Sequence, residues 1–170
     1  CPLYAADGPG SGRTLPHLQR VYALLGLIQV RGLACVVRWF LVALYAFSVL
    51  SFTTAHSSGA GYMGRLLREW FPHLTGGQIQ ALVYWTRKAG HVLAYGVLTL
   101  LIIYASKATP RLKKGALLWG AAGAFVVAVA DEYLQIGLEH RSGSLQDVVI
   151  DCAGIALALL AVGVVRSRKR

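Results

Sequence analysis

Residues 115–138 read GALLWGAAGAFVVAVADEYLQIGL. From Gly115 to Ala130 the run has no charge and no proline, and then Asp131 and Glu132 stand side by side before the apolar character resumes. About 20 apolar residues is the length an α-helix needs to cross the hydrocarbon core of a bilayer. A charge at mid-bilayer costs about 2.5–3.5 kcal/mol on insertion scales, so acids inside such a run are rarely idle. The stretch therefore reads as a transmembrane helix with chemistry near one end.

Three more stretches have the same character: about Trp39 to Ala55, about Trp85 to Ser106, and about Leu145 to Val165. Lipid offers no partner to an open backbone, so each is expected to be helical. Composition agrees. Of 170 residues 56% are hydrophobic and only 14% charged, with a mean hydropathy of +0.55. That excludes a disordered chain, and a soluble globule would carry nearer a quarter charged residues. The expected fold is all-α: an integral membrane bundle of about four transmembrane helices with an N-terminal interfacial or amphipathic segment. Residues 1–38 read as tail and interfacial segment, 39–165 as the transmembrane domain and 166–170 as a basic tail. Within the first part, Val21 to Val37 is apolar but interrupted by Arg31 and followed by Arg38, which suits an amphipathic helix lying in the interface or a cytoplasmic lead-in. A fifth span there is the alternative. Residues 1–16 are rich in glycine and proline, and Cys1 is a place where a lipid could be attached.

Net charge is +10, with 17 Lys and Arg against 7 Asp and Glu. On a soluble protein that would suggest nucleic acid. Here the bases stand at segment ends, where the membrane accounts for them, and no nucleic-acid partner is expected. With four spans, one side of the membrane holds Arg13, Arg20, Arg31 and Arg38, then Lys107, Arg111, Lys113 and Lys114, then Arg166, Arg168, Lys169 and Arg170. The other side has Arg65, Arg68, Arg87, Lys88 and Arg141. The positive-inside rule places both termini in the cytoplasm and the 56–84 loop outside. Within that loop Leu66, Leu67, Trp70 and Phe71 have helical spacing, as in a short amphipathic surface helix. Cys35 and Cys152 lie in apolar runs and read as small hydrophobes.

In this orientation the polar residues converge. Five of the seven acids fall between Asp131 and Asp151. Lys88, His91 and Tyr95 make one stripe in the first turns of the second span. Glu132 and Gln135 lie i, i+3 at the outer end of the third, where Asp131 either joins them or faces a wet loop. Asp147, Asp151, Gly154 and Ala158 make a stripe on the fourth. At ~1.5 Å per residue all these polar groups fall within about 15 Å of the outer surface. Ser144 with Asp147 three residues on has the form of a helix-capping signal, a purely structural use for that acid. Arg141, between acids on both sides, suits pairing.

These residues, in this order, resemble the VanZ-like family of small multi-pass bacterial membrane proteins. The first block is Lys88-Ala-Gly-His91-Val-Leu-Ala-Tyr95, the second Glu132-Tyr-Leu-Gln135 preceded by Asp131, and the third Arg141-Ser-Gly-Ser144-Leu-Gln-Asp147. The family pattern continues with asparagine four residues on, a glycine three later and a second glycine four after that. Here Asp151, Gly154 and Ala158 hold those places. The resemblance covers residues 39–165. It implies a bacterial cytoplasmic membrane protein with a cell-envelope role, and the family takes its name from reduced susceptibility to the glycopeptide teicoplanin.

The candidate ligand-binding or catalytic residues are therefore Lys88, His91, Tyr95, Glu132, Gln135, Arg141, Ser144, Asp147 and Asp151. An outward-facing polar pocket among three helices would seat a lipid head group, a lipid-linked cell-wall intermediate or a glycopeptide. Lys88 and Arg141 would meet phosphate or carboxylate, and Glu132, Gln135 and Asp147 would accept hydrogen bonds. Alternatively His91, Glu132 and Asp147 do general acid–base work, or hold a divalent cation, in a membrane hydrolase or transferase on a lipid-carried substrate. A third reading is a small proton-coupled transporter, against which the polar groups gather at one face. A salt-bridged cluster that only holds the bundle together is the fourth. The spacing matches no zinc signature, so neither metal nor cofactor is expected. Membrane lipids are the expected partners, and the Gly/Ala stripe of the last span would suit a homodimer.

Overall fold

The computed structural model describes residues 16–55, 59–136 and 144–168. Cys1, His56, His140, Arg141 and the start of the chain lie outside them. The chain has two compact units, Cys1–Ala34 and Cys35–Arg170. The elements are α1 (Pro16–Thr54), α2 (Ala60–Trp70), α3 (Gly76–Ala108), α4 (Ala116–Gln135) and α5 (Leu145–Ser167), with no strand among the described residues. Among the described residues four stretches are long and apolar enough to cross a membrane: Gly32–Thr54 within α1, and α3, α4 and α5.

Two boundaries differ from the sequence reading. Val21–Val37 is not a separate interfacial helix. It lies inside α1, which runs unbroken through Arg31 and Arg38. Arginine is a good helix former and no proline follows Pro16 before Thr54, so nothing in the backbone forces a stop. The first span accordingly begins at Gly32 instead of Trp39. The second difference is α3, which starts at Gly76, well before Trp85. Thr75 caps it: its hydroxyl accepts from the Gln78 amide at 3.4 Å and the Gln78 side chain accepts from the Thr75 amide at 2.8 Å. That is a closed capping box. A helix of 33 residues reaches about 50 Å at ~1.5 Å per residue, longer than a hydrocarbon core of about 30 Å. The surplus at its N-terminal end is where the short amphipathic α2 packs, with Gly64 against Val83.

Small residues set the packing of the spans. On α4, Ala116, Gly120, Ala124 and Ala128 are all buried at i, i+4 intervals. A Cβ on Gly120 would collide with the Ile103 side chain of α3. On α5 the buried stripe is Asp147, Asp151, Gly154 with Ile155, and Ala158. A Cβ on Gly154 would run into the Val92 carbonyl of α3, 3.0 Å from its carbon. The stripe considered for a dimer thus packs on α3 within the chain. Tyr95, Leu98, Ile102 and Ala105 of α3 form the centre of the core with Ala124, Ala128 and Ile155. Trp39, Tyr45, Ala46 and Val49 of α1 pack against it. Hydrogen bonds fasten α1 to α3: Trp39 Nε1 donates to Oγ1 of Thr109, the C-cap of α3, at 3.0 Å, and the Tyr45 hydroxyl to the Ala94 carbonyl at 3.3 Å. Cys35 and Cys152 are half-buried free thiols.

The outside is the more apolar face. Phe40, Phe47, Phe125, Leu157 and Leu160 are exposed while Asp131, Glu132, Gln135, Asp147 and Asp151 are buried. Polar inside and apolar outside is the inverse of a soluble protein and the arrangement a bilayer selects.

Candidate functional site

The polar residues meet at the end of the bundle where α1 and α4 finish and α3 and α5 begin. Antiparallel order makes this unavoidable: helices entering and leaving at one end bring the last turns of α4 beside the first turns of α5. His91 and Asp151 are in contact, Nδ1 to Oδ1 at 2.9 Å, with Asp151 fully buried. A carboxylate accepts, so the Nδ1–H donates here. One turn nearer the end, the Lys88 ammonium pairs with Asp147 Oδ1. Tyr95, one turn further in along α3, stacks its ring with His91 at 6.4 Å between centroids. Its hydroxyl donates to Asp131 Oδ2 at 2.9 Å. The other Asp131 oxygen accepts from the Thr53 hydroxyl of α1. Asp131 thus joins three helices, and of the two alternatives for it the wet loop is ruled out: it is fully buried.

Glu132 and Ser144 close the α4–α5 junction. The Ser144 amide donates to Glu132 Oε2 at 2.7 Å. Ser144 is the N-cap of α5, but its hydroxyl accepts from the Gln146 amide at 3.1 Å and the expected box with Asp147 does not form. Asp147 goes to Lys88 instead, and the acid that answers the cap's own amide comes from α4. Among the described residues, Glu132 Oε1, Gln135 Nε2 and Asp151 Oδ2 are buried without a hydrogen-bond partner. His91, Asp131 and Glu132 each present one ligand-type atom, all within 4.8 Å of one another.

The bundle has a cavity of about 380 Å³, on the flank between α1, α2 and α3. Ser48, Val49, Phe52 and Thr53 line one side, Met63 comes from α2, and Thr86, Arg87, Gly90, His91, Ala94 and Tyr95 line the other. The expected pocket was among the helices now labelled α3, α4 and α5. The space found takes only His91 and Tyr95 from the expected set, and Lys88, Glu132, Gln135, Asp147 and Asp151 do not line it. Small residues on α4 and α5 let those helices close on α3. A second hollow of about 460 Å³ between α2 and α3 is lined by Arg65, Arg68 and Arg87 among others. Arg87 borders both, and its Nε has no partner among the described residues.

Thus Lys88, His91, Tyr95, Glu132, Gln135, Ser144, Asp147 and Asp151 come together, while Arg141 lies outside the described residues. Thr53 and Asp131 belong to the same network and were not among the candidates. Asp131 had a signal, its i, i+4 relation to Gln135; Thr53 had none, because a threonine near the end of an apolar helix is unremarked in any sequence.

The ordered blocks on α3, α4 and α5 decide the family. The sequence matches VanZ/LLP1 over residues 27–166. The chain belongs to the VanZ/LLP1 family. No curated protein and no solved structure matches it. The VanZ/LLP1 match begins at residue 27, so the resemblance read from residue 39 onward extends twelve residues toward the N-terminus and takes in much of the Val21–Val37 stretch. In this VanZ/LLP1 chain the family's asparagine place is Asp151, and it holds the His91 ring. The family's first glycine place, Gly154, is the α3–α5 contact.

Proposed function

We propose that this VanZ/LLP1 protein binds the anionic head group of a lipid or lipid-linked envelope ligand in the α1–α2–α3 cavity, with both termini in the cytoplasm of a bacterial cell and the cavity on the outer side. The observation that carries the reading is Arg87. It lies on the wall of an otherwise largely apolar cavity, and its Nε is buried with no partner among the described residues. A guanidinium without an anion leaves a costly donor unmet, and phosphate or carboxylate matches its geometry. The volume suits one head group with the start of its chains. Phe52, 62% exposed on the α1 side, puts the cavity wall in contact with lipid, so a ligand can arrive sideways from the bilayer.

Such a protein would act on envelope lipids by holding them, and a change in teicoplanin susceptibility would follow from altered access to a lipid-linked cell-wall intermediate. Native mass spectrometry of the full chain in mild detergent tests this. Wild type should retain phosphatidylglycerol over phosphatidylethanolamine from mixed micelles, and Arg87→Gln should lose that preference several-fold. Equal retention of both lipids by both proteins would defeat the reading.

A further inference from the structure

We propose that His91, Asp131 and Glu132 form a binding site for one divalent transition-metal ion, of the Zn²⁺ or Mn²⁺ class. This goes beyond the lipid reading and does not depend on it, since the ion's ligands are not the groups assigned to the head group. The first support is geometry. One ligand atom from each residue lies within 4.8 Å of the others. Around a single ion with bonds of ~2.0–2.4 Å, opposite ligands are separated by about twice the bond length. The three atoms therefore fit one coordination sphere.

The second support is an oxygen with nothing to do. Glu132 is only 5% exposed. Its Oε2 accepts from the Ser144 amide, and Oε1 has no hydrogen-bond partner among the described residues. A buried carboxylate oxygen left bare costs more than the hydrogen bond it lacks, unless a ligand takes it up.

The third is preorganisation. Metal-bound histidines characteristically donate the other ring nitrogen to a carboxylate, which fixes the tautomer and the ring. Asp151 accepts from His91 Nδ1 at 2.9 Å and leaves Nε2 for the ion. Asp131 is held from both sides, by the Tyr95 hydroxyl at 2.9 Å and by the Thr53 hydroxyl. Each of its oxygens still has a lone pair to offer.

Charge gives the fourth. Asp131, Glu132, Asp147 and Asp151 are buried together, and among the described residues the lysine facing them is Lys88, paired with Asp147. Three carboxylates then share the His91 ring. Buried acids without compensating cations are strongly unfavourable, and a divalent ion removes the excess. One imidazole with two carboxylates favours zinc or manganese over magnesium or calcium, which prefer all-oxygen sets. An entry path exists because His91 also lines the α1–α2–α3 cavity. That no zinc motif is legible is no obstacle, since the ligands come from α3 and α4 and lie 40 residues apart.

The test uses the full chain, free of affinity tag, stripped with EDTA in detergent and reloaded with Zn²⁺ or Mn²⁺. Elemental analysis after desalting should find about one ion per wild-type chain, and at least tenfold less in His91→Gln and Glu132→Gln. His73→Ala, at an exposed histidine, should keep it. In case the ligand variants fail to fold, electron spin-echo spectroscopy of the Mn²⁺-loaded wild type gives an independent readout, with coupling to one imidazole nitrogen expected. Wild type without stoichiometric ion would overturn the proposal. Unchanged loading in both ligand variants, or manganese bound without nitrogen coupling, would overturn it equally. Loss of lipid preference in Arg87→Gln with metal loading intact would leave it standing, which separates it from the lipid reading.

Discussion

Tyr95 and Asp131 meet 2.9 Å apart with neither residue exposed at all. Their contact is the point where the apolar core of the bundle turns into its polar end. Below it Tyr95 packs with Leu98, Ala124 and Ala128; above it stand His91, Glu132 and Gln135. A tyrosine serves both sides because its ring is apolar and its hydroxyl is not.

Tyr95→Phe removes the hydroxyl and leaves the ring in place. Among the described residues Asp131 then keeps Thr53 as its one side-chain donor. Leaving a buried acceptor short of a partner costs about 1–3 kcal/mol. The same loss is expected from Thr53→Val. Because both donors serve one carboxylate, the double variant should depart from additivity by at least ~0.5 kcal/mol. Reversible SDS-titration unfolding of the four proteins measures it, and strict additivity would mean the two hydroxyls do not share Asp131.

Glycine variants separate packing from propensity. Gly154→Ala should destabilise by about 1–3 kcal/mol or more, because the new methyl meets the Val92 backbone, which has no rotamer to change. Gly163→Ala, on the same helix with nothing within 4 Å, should be neutral or stabilising by up to ~1 kcal/mol. Melting temperatures in one detergent compare them. Equal shifts would mean that α3 and α5 are not in close contact.

How far the sequence reveals this architecture depends on where each signal lies. The four spans were legible because twenty apolar residues in a row have few other uses. The α2 helix was legible from the spacing of Leu66, Leu67, Trp70 and Phe71. The start of α3 was not, since Gly76-Gly77 reads as a loop, although Thr75 and Gln78 have the spacing of a capping box. The polar stripes of α3 and α5 follow from helical periodicity alone. Which acid answers which base does not: Ser144 and Asp147 suit one another in sequence, yet Asp147 turns to Lys88 and Glu132 takes the Ser144 amide. Those choices depend on the distance between helices, set by glycines and alanines whose partners no single segment names.

Lys88 and Asp147 form the outermost pair of the cluster, with side chains 18% and 9% exposed. Asp147→Asn leaves a partly buried ammonium unpaired, and Lys88→Met leaves a carboxylate. Either alone should destabilise by about 1–3 kcal/mol, below the cost of breaking a fully buried pair because some water remains. Lys88→Met with Asp147→Leu should recover much of the loss, since α3 and α5 would then meet through apolar groups. If the double variant is as unstable as the sum of the singles, the pair's partners elsewhere in the cluster matter more than the pair.

Orientation can be read at the two ends of α3. Its start carries Gly77, exposed; its last turn carries Lys107, and the stretch after it Arg111, Lys113 and Lys114. Basic residues are retained on the cytoplasmic side during insertion, so the Lys113 end is expected inside and the Gly77 end outside. In a variant with Cys1, Cys35 and Cys152 replaced by serine, a single cysteine at Gly77 should react with a membrane-impermeant maleimide in intact cells. A single cysteine at Lys113 should react only after permeabilisation. The reverse pattern would put the polar end of the bundle, with His91, Glu132 and the cavity, on the cytoplasmic side. The ligand would then have to be sought among cytoplasmic lipid-linked intermediates, and an action on the outer envelope would be excluded.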